Sequence, residues 1–141
     1  MRHSWAGAGA LSVLVSCASS PTVPSVVPVA EFVLAAGESA AVSGTGLTVR
    51  FDRVVNDTRC PGNALCITAG DAEIALSVRR AGRPADGLSL RIAGGGNRAL
   101  MGDWVLSFTA LSPYPFTDRP IAPGDYRATF RVDPAAQPPR P

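Results

Sequence analysis

Apolar and polar residues alternate with a period of two along most of this chain, and no long stretch repeats apolar residues at helical spacing. Leu47, Val49 and Phe51 fall opposite Thr48, Arg50 and Asp52. Ala72, Ile74, Leu76 and Val78 alternate with Glu73, Ala75, Ser77 and Arg79. Leu88, Leu90 and Ile92 form a third row, and Trp104, Leu106, Phe108 and Ala110 a fourth. Tyr126, Ala128, Phe130 and Val132 alternate with Arg127, Thr129, Arg131 and Asp133. Weaker strands are expected over 31–35 and 39–43. Turn formers punctuate the rows at Ala36-Gly37, Ser43-Gly44-Thr45-Gly46, Arg83-Pro84, Gly94-Gly95-Gly96-Asn97 and Ala122-Pro123-Gly124.

Strands with one apolar face must bury it against a second sheet or close into a barrel. The polar alternate positions predict antiparallel sheets with one wet face. The expected fold is therefore all-β: an antiparallel β-sandwich of about seven or eight short strands. Pro123-Gly124-Asp125-Tyr126 resembles the entry to a terminal strand in immunoglobulin-like modules, where a tyrosine hydroxyl bonds back to nearby backbone. That resemblance implies an immunoglobulin-like sandwich; a plain core tyrosine at a strand start predicts the same fold.

The first seventeen residues, MRHSWAGAGALSVLVSC, place Arg2 ahead of an apolar stretch over 5–15 that ends in Leu14-Val15-Ser16-Cys17. The stretch is too short to span a bilayer and fits an export signal. The last four residues resemble a bacterial lipobox: an aliphatic residue, a tolerant position, a small residue, then cysteine. The resemblance implies a signal peptide over 1–16, cleavage before Cys17, lipid on its thiol and acylation of the new amino terminus. Several acyl chains would anchor the protein stably to a membrane. The competing reading is ordinary secretion with cleavage after Ala18. Ala18, rather than Asp, follows the cysteine; by resemblance to Gram-negative sorting patterns this implies the outer membrane if the bacterium is Gram-negative, and the single membrane if it is Gram-positive. Residues 17–29 read as the lipidated cysteine and a Pro/Ser-rich tether, whose dozen extended residues reach about 35 Å. Residues 30–133 form the domain, and 134–141, with four prolines, a disordered tail.

Assigning Cys17 to lipid leaves Cys60 and Cys66, an even pair in an oxidising compartment. Pro61-Gly62-Asn63 between them favours a chain reversal, so a structural disulfide is expected. The alternative, a redox dithiol, usually has two intervening residues and a helix start, whereas five intervene here.

Composition narrows the chemistry. All 13 basic residues are arginine, and they are scattered singly. The formal net charge of +2 becomes +1 once Arg2 leaves with the leader, so there is no footprint for nucleic acid. The single histidine, His3, lies in the leader, which removes the usual neutral-pH base and histidine-ligated metals from the mature chain. Without lysine, Schiff-base catalysis is absent as well. No cofactor or metal site is expected, and Asn56, Asp57, Asn63 and Asp71 lack the oxygen spacing of an EF-hand.

Three separated segments resemble a family of uncharacterised bacterial secreted and lipid-anchored β-sandwich proteins. They are Asp57-Thr58-Arg59-Cys60-Pro61 with Cys66-Ile67-Thr68-Ala69-Gly70-Asp71-Ala72, then Leu111-Ser112-Pro113-Tyr114-Pro115, then Asp125-Tyr126. Thr68 stands where that family usually carries an aromatic before Ala-Gly. The resemblance implies a fold and a location, with no established activity.

Two loops are the candidate binding elements. The cysteine loop offers Asp57, Arg59 and Asn63; its plainer reading is an exposed Asp57–Arg59 contact that merely fixes the loop. The loop over 112–120 sets Tyr114 and Phe116 among prolines beside Asp118 and Arg119. Its rings serve either as interface anchors or, the preferred expectation, as cover over the open end of the core. The expected function is a non-enzymatic, lipid-anchored binding or structural module of the cell envelope, with an unknown protein or envelope ligand. An envelope-anchored inhibitor of a lysozyme or protease is the alternative. A hydrolase using Asp57 and Asp71 comes third, and would need the two carboxylates about 5–9 Å apart.

Overall fold

The computed structural model describes residues 25–27, as backbone, and residues 31–136. The expected signal peptide, Cys17, most of the tether and the tail from 137 lie outside the described residues.

The alternating rows become strands. In order they are β1 (Ser25–Val27), β2 (Glu31–Ala35), β3 (Ser39–Val42), β4 (Leu47–Asp57) and β5 (Ala72–Arg80). There follow β6 (Ala85–Arg91), β7 (Arg98–Met101), β8 (Trp104–Ser112) and β9 (Arg127–Pro134). One sheet runs β1-β3-β4-β5-β6 and the other β2-β9-β8-β7. The pairings are antiparallel apart from that of β1 with β3. This is the expected β-sandwich. Its strand order is two meanders, β3 to β6 and β7 to β9, with β2 returning beside β9.

The inward faces form one core. Phe130 on β9 is fully buried and lies 5.8 Å from Phe32, 6.0 Å from Phe108 and 6.4 Å from Phe51, the last on the opposite sheet. Burying each such ring is worth about 1.5–3 kcal/mol, and the tilted and edge contacts add to that. Leu47, Val49, Ile74, Leu76, Val78, Leu106 and Val132 fill the remaining space.

Three local features differ from the sequence pattern. β8 carries a bulge between Phe108 and Ala110, so Ala110 faces out and Leu111 takes the inward place. The extra residue reverses the alternation that the row Trp104, Leu106, Phe108, Ala110 predicts. β7, which pairs with β8, falls in a segment with no clear alternation and is held by its partner strand. Ser25–Val27 lies within the stretch read as tether, yet pairs in parallel with Ala40–Val42.

The two loops read as candidates leave the same end of the sandwich. One joins β4 to β5 and the other joins β8 to β9.

Candidate functional site

β4 and β5 do not part where their regular pairing ends. Thr58 N–H donates to Asp71 O at 2.7 Å and Cys60 N–H to Ala69 O at 2.8 Å, so the hairpin narrows into a neck. Gly70 makes that neck possible. Its φ is +71°, and a Cβ there would lie 1.7 Å from the Thr58 carbonyl oxygen. Any other residue would collide with backbone that cannot yield. Beyond the neck, the Cys60–Cys66 disulfide closes the loop, as the cysteine count predicts.

The neck delivers Arg59 into the body of the protein. Its Nε donates to Asp57 Oδ1 at 2.8 Å and its Nη2 to Asp57 Oδ2 at 2.7 Å, a two-pronged pairing of guanidinium with carboxylate. Nη1 donates to the carbonyl of Leu111, and Nη2 also to that of Pro113 at 2.9 Å. The peptide bond between Ser112 and Pro113 is cis. Only 8% of Arg59 is exposed, and both side chains of the pair are 7% exposed. The expectation of an exposed, weak Asp57–Arg59 contact is thus corrected: the pair is buried and binds one loop to the other. A short i to i+2 spacing says nothing about the distant segment that covers the pair.

Tyr126, at the entry to β9, completes the network. Its hydroxyl donates to Asp57 Oδ2 at 3.2 Å, so it bonds to a carboxylate on β4 rather than to nearby backbone. Burial acts to raise the pKa of Asp57, but the hydrogen bonds and charge of Arg59 outweigh it and hold the carboxyl below its ordinary value. For Tyr126, burial and then the Asp57 charge push the phenol above its ordinary value.

A second set of bonds joins the loops nearer their tips. Gly62 N–H donates to Pro115 O at 2.9 Å. The Asn63 side chain accepts from Thr117 N–H at 2.9 Å and donates to Thr117 Oγ1 at 2.9 Å and Asp118 Oδ1 at 3.4 Å. A Cβ on Gly62 would meet the Phe116 ring at 3.2 Å, so the missing side chain is the space the ring fills. Tyr114 lies against Arg59, 5.2 Å from guanidinium carbon to ring centre, and Arg119 covers Phe116 at 5.1 Å.

All seven candidate binding residues therefore belong to one unit. Asp57, Arg59 and Asn63 spend their hydrogen-bonding capacity inside it and hold its shape. Tyr114 and Phe116 remain 52% and 37% exposed and lie outside the buried core, which corrects the expectation that they cap it. Asp118 and Arg119 are exposed at the edge.

Two further residues, outside the seven candidates, stand out. Leu65 and Ile67, on either side of Cys66, are fully exposed. The available signal was two aliphatic residues inside a loop otherwise built of turn formers. Val33, Val55 and Leu100 are exposed on three different strands, whereas Leu65, Ile67, Tyr114 and Phe116 are carried together on the two bonded loops.

The carboxylates proposed for hydrolysis are differently engaged. Asp71 accepts from Arg91 Nε at 2.8 Å and from the amides of Ala72 and Ala93. Burial acts to raise its pKa, but these bonds, Arg91 first, lower it. Both Asp57 and Asp71 thus lie below the usual carboxylate value, opposite to what a general acid working near neutrality requires. Among the described residues, no three His, Cys, Asp or Glu side chains are grouped to hold a metal ion.

The class that this geometry defines is a two-sheet β-sandwich that carries at one end a disulfide-closed, arginine-locked pair of loops. Comparison with protein-family models, with curated proteins and with solved structures finds no match to the chain.

Proposed function

We propose that the chain is an exported protein of the bacterial cell envelope, lipidated on Cys17, and that it acts without catalysis as a binding module through the paired loops. On this reading it is a member of the secreted and lipid-anchored β-sandwich family that its cysteine block and Leu-Ser-Pro-Tyr-Pro loop resemble.

One observation carries the binding role. Leu65 and Ile67 are fully exposed on a loop whose backbone is fixed by a disulfide, a two-pronged ion pair and the Asn63 bonds. A stiff frame loses little entropy on binding, and aliphatic side chains gain most when another surface takes them out of water. The net-neutral charge pattern supports an apolar contact: Asp57 is matched by Arg59 and Asp118 by Arg119.

Two measurements test the reading. Fatty-acid labelling and mature mass are compared for wild type and Cys17→Ala; label on wild type alone is expected, and equal labelling would remove the anchor. A photo-reactive amino acid at position 67, and in a control at position 100, is then activated in intact envelopes. An adduct specific to position 67, whether of protein or lipid, is expected. Indistinguishable adduct patterns at the two positions would overturn binding through the loops. An inhibitor acting through this face would appear as an adduct with its enzyme.

A further inference from the structure

Arginines that stand singly along the chain are brought together on the outer face of the five-stranded sheet. One row across that face reads Ser39, Arg50, Ser77 and Gly87, and the next reads Ala41, Thr48, Arg79 and Ala85. Arg50 and Arg79 are thus diagonal neighbours on β4 and β5, about 7–8 Å apart, each with a hydroxyl residue directly opposite. Ser39, Thr48, Arg50, Ser77, Arg79 and Ala85 line a cavity of about 240 Å³. A second hollow of about 330 Å³ shares Thr48 and Arg79 and continues to Arg80, whose Nε is buried without an acceptor. A Cβ on Gly87 would meet nothing within 4 Å, so the groove is open towards β6.

Two neighbouring cations repel, and the protein neutralises only one of them. Asp52 accepts from Arg50 Nε at 3.0 Å and from the Ser77 hydroxyl at 2.7 Å. Arg79 pairs with no carboxylate among the described residues. The other carboxylates nearby are engaged elsewhere. Glu38 accepts from the Ala35 amide at 2.7 Å, and Asp86 lies 3.5 Å from Arg80 Nη2. The terminal nitrogens of Arg50, the whole guanidinium of Arg79 and the hydroxyls of Ser39 and Thr48 are left without a partner among the described residues. That set offers more donors than the two oxygens of a carboxylate accept, and it suits the three terminal oxygens of a phosphate monoester. No aromatic or large aliphatic side chain lines the smaller cavity, so the group carrying the phosphate is polar.

We propose that this groove binds a phosphate monoester borne on a sugar or similar polyol. Arg50 and Arg79 hold the phosphate from two sides, and the Ser39 and Thr48 hydroxyls bond to the phosphate and to its polyol. A single arginine pair lacks the run of cations that a nucleic-acid backbone requires. The groove lies towards the start of β4 and the end of β5, whereas the paired loops leave from the end of β4, so the site is separate from theirs.

The test titrates isotope-labelled full-length protein with glycerol phosphate at constant ionic strength, with glycerol and glycerate as comparisons. Glycerol phosphate should shift the Nε–Hε signals of Arg50 and Arg79 and the amides of Thr48 and Ser77 in a saturable way. Glycerol should shift none, and glycerate should bind about tenfold more weakly for want of one charged hydrogen bond. Arg79→Gln should weaken glycerol phosphate by about tenfold or more. Ala85→Glu sets a carboxylate beside the cavity and should abolish binding. Both positions are exposed, so thermal melting of these variants should match wild type. Arg98→Gln removes an exposed arginine on β7 of the other sheet and should leave binding unchanged. Equal weakening in Arg79→Gln and Arg98→Gln, or shifts spread over all arginines, would mean diffuse attraction of charge and overturn the site. Glycerate binding as tightly as glycerol phosphate would overturn phosphate as the ligand. Absence of saturation by about 50 mM, far above a millimolar Kd, would remove the site altogether.

Discussion

Phe130 and Arg59 are both buried, and each joins parts of the chain distant in sequence, but by different physics. Phe130 meets Phe32, Phe51 and Phe108 through ring contacts that have no fixed partner atoms. Arg59 meets Asp57, Leu111 and Pro113 through four hydrogen bonds from a rigid fork. Removing a core ring leaves a cavity, which neighbours partly fill. Removing the guanidinium leaves a buried carboxylate and two carbonyls with lost partners, and nothing adjacent can replace a fork of that shape. The core should therefore tolerate a change of residue that keeps volume, while the loop end should not tolerate even a change that keeps charge.

The largest effect is expected in the core. Phe130→Ala should lower the unfolding free energy by about 3–5 kcal/mol in denaturant titration, with Phe130→Leu costing much less. Loss of hydrogen-exchange protection should extend through Val49, Leu76 and Leu106 alike. If only one sheet loosened, the single-core account would be wrong.

Arg59→Ala should follow closely, at about 3 kcal/mol, because it strands a buried charge. Its damage should concentrate in the loops: the amides of Gly62 and Thr117 should lose protection while those of Val49 and Leu76 keep it. Arg59→Lys should recover less than half of the loss, since a single ammonium cannot form the paired contact. The double variant Asp57→Asn, Arg59→Ala should be less destabilised than Arg59→Ala alone. Simple additivity in that cycle would mean that the two side chains do not work as a pair.

The smallest effect tests the edge of the network. Tyr126→Phe should cost about 1 kcal/mol for its hydrogen bond to Asp57. It should also change the pH profile. The folded-state pKa of Asp57 is lowered, so its contribution is complete above the ordinary carboxyl value near 4 and disappears as pH falls through the lower folded value. The folded-state pKa of Tyr126 is raised, so its contribution is complete below about 10 and disappears as pH rises through the higher folded value. Stability of wild type, followed by thermal melting, should thus fall on both sides of this window. Tyr126→Phe should lose the part of the alkaline fall due to this phenol, and Asp57→Asn the part of the acid fall due to this carboxyl. An alkaline limb unchanged in Tyr126→Phe would remove the phenol from the network.

How much of this was readable beforehand depends on whether the cause was local. Period-two alternation is a property of consecutive residues, so it located β4, β5, β6, β8 and β9 and most of the core, including Phe51, Phe108 and Phe130. It failed at Ala110 and Leu111, where a bulge inserts one residue and the partner strand rather than the pattern sets the facing. It missed β7, whose pairing with β8 supplies the order that its own residues do not. For the site, the pattern of residue types picks out seven polar and aromatic positions on the two loops but not what they do. Asp57, Arg59 and Asn63 have the chemistry of ligand contacts yet are consumed in internal bonds, whereas Leu65 and Ile67, which carry no polar group to draw notice, are the exposed ones.

The sequence by itself determined an all-β sandwich and the Cys60–Cys66 pair, because facing and cysteine parity are written in short-range order. Only the tertiary structure decided that Leu111 and Pro113 would offer their carbonyls to Arg59, more than fifty residues earlier. A buried guanidinium must satisfy its donors, and which acceptors come within reach follows from how β8 is placed against the neck of the hairpin. That placement turns two separate loops into one stiff surface with its aliphatic residues outward.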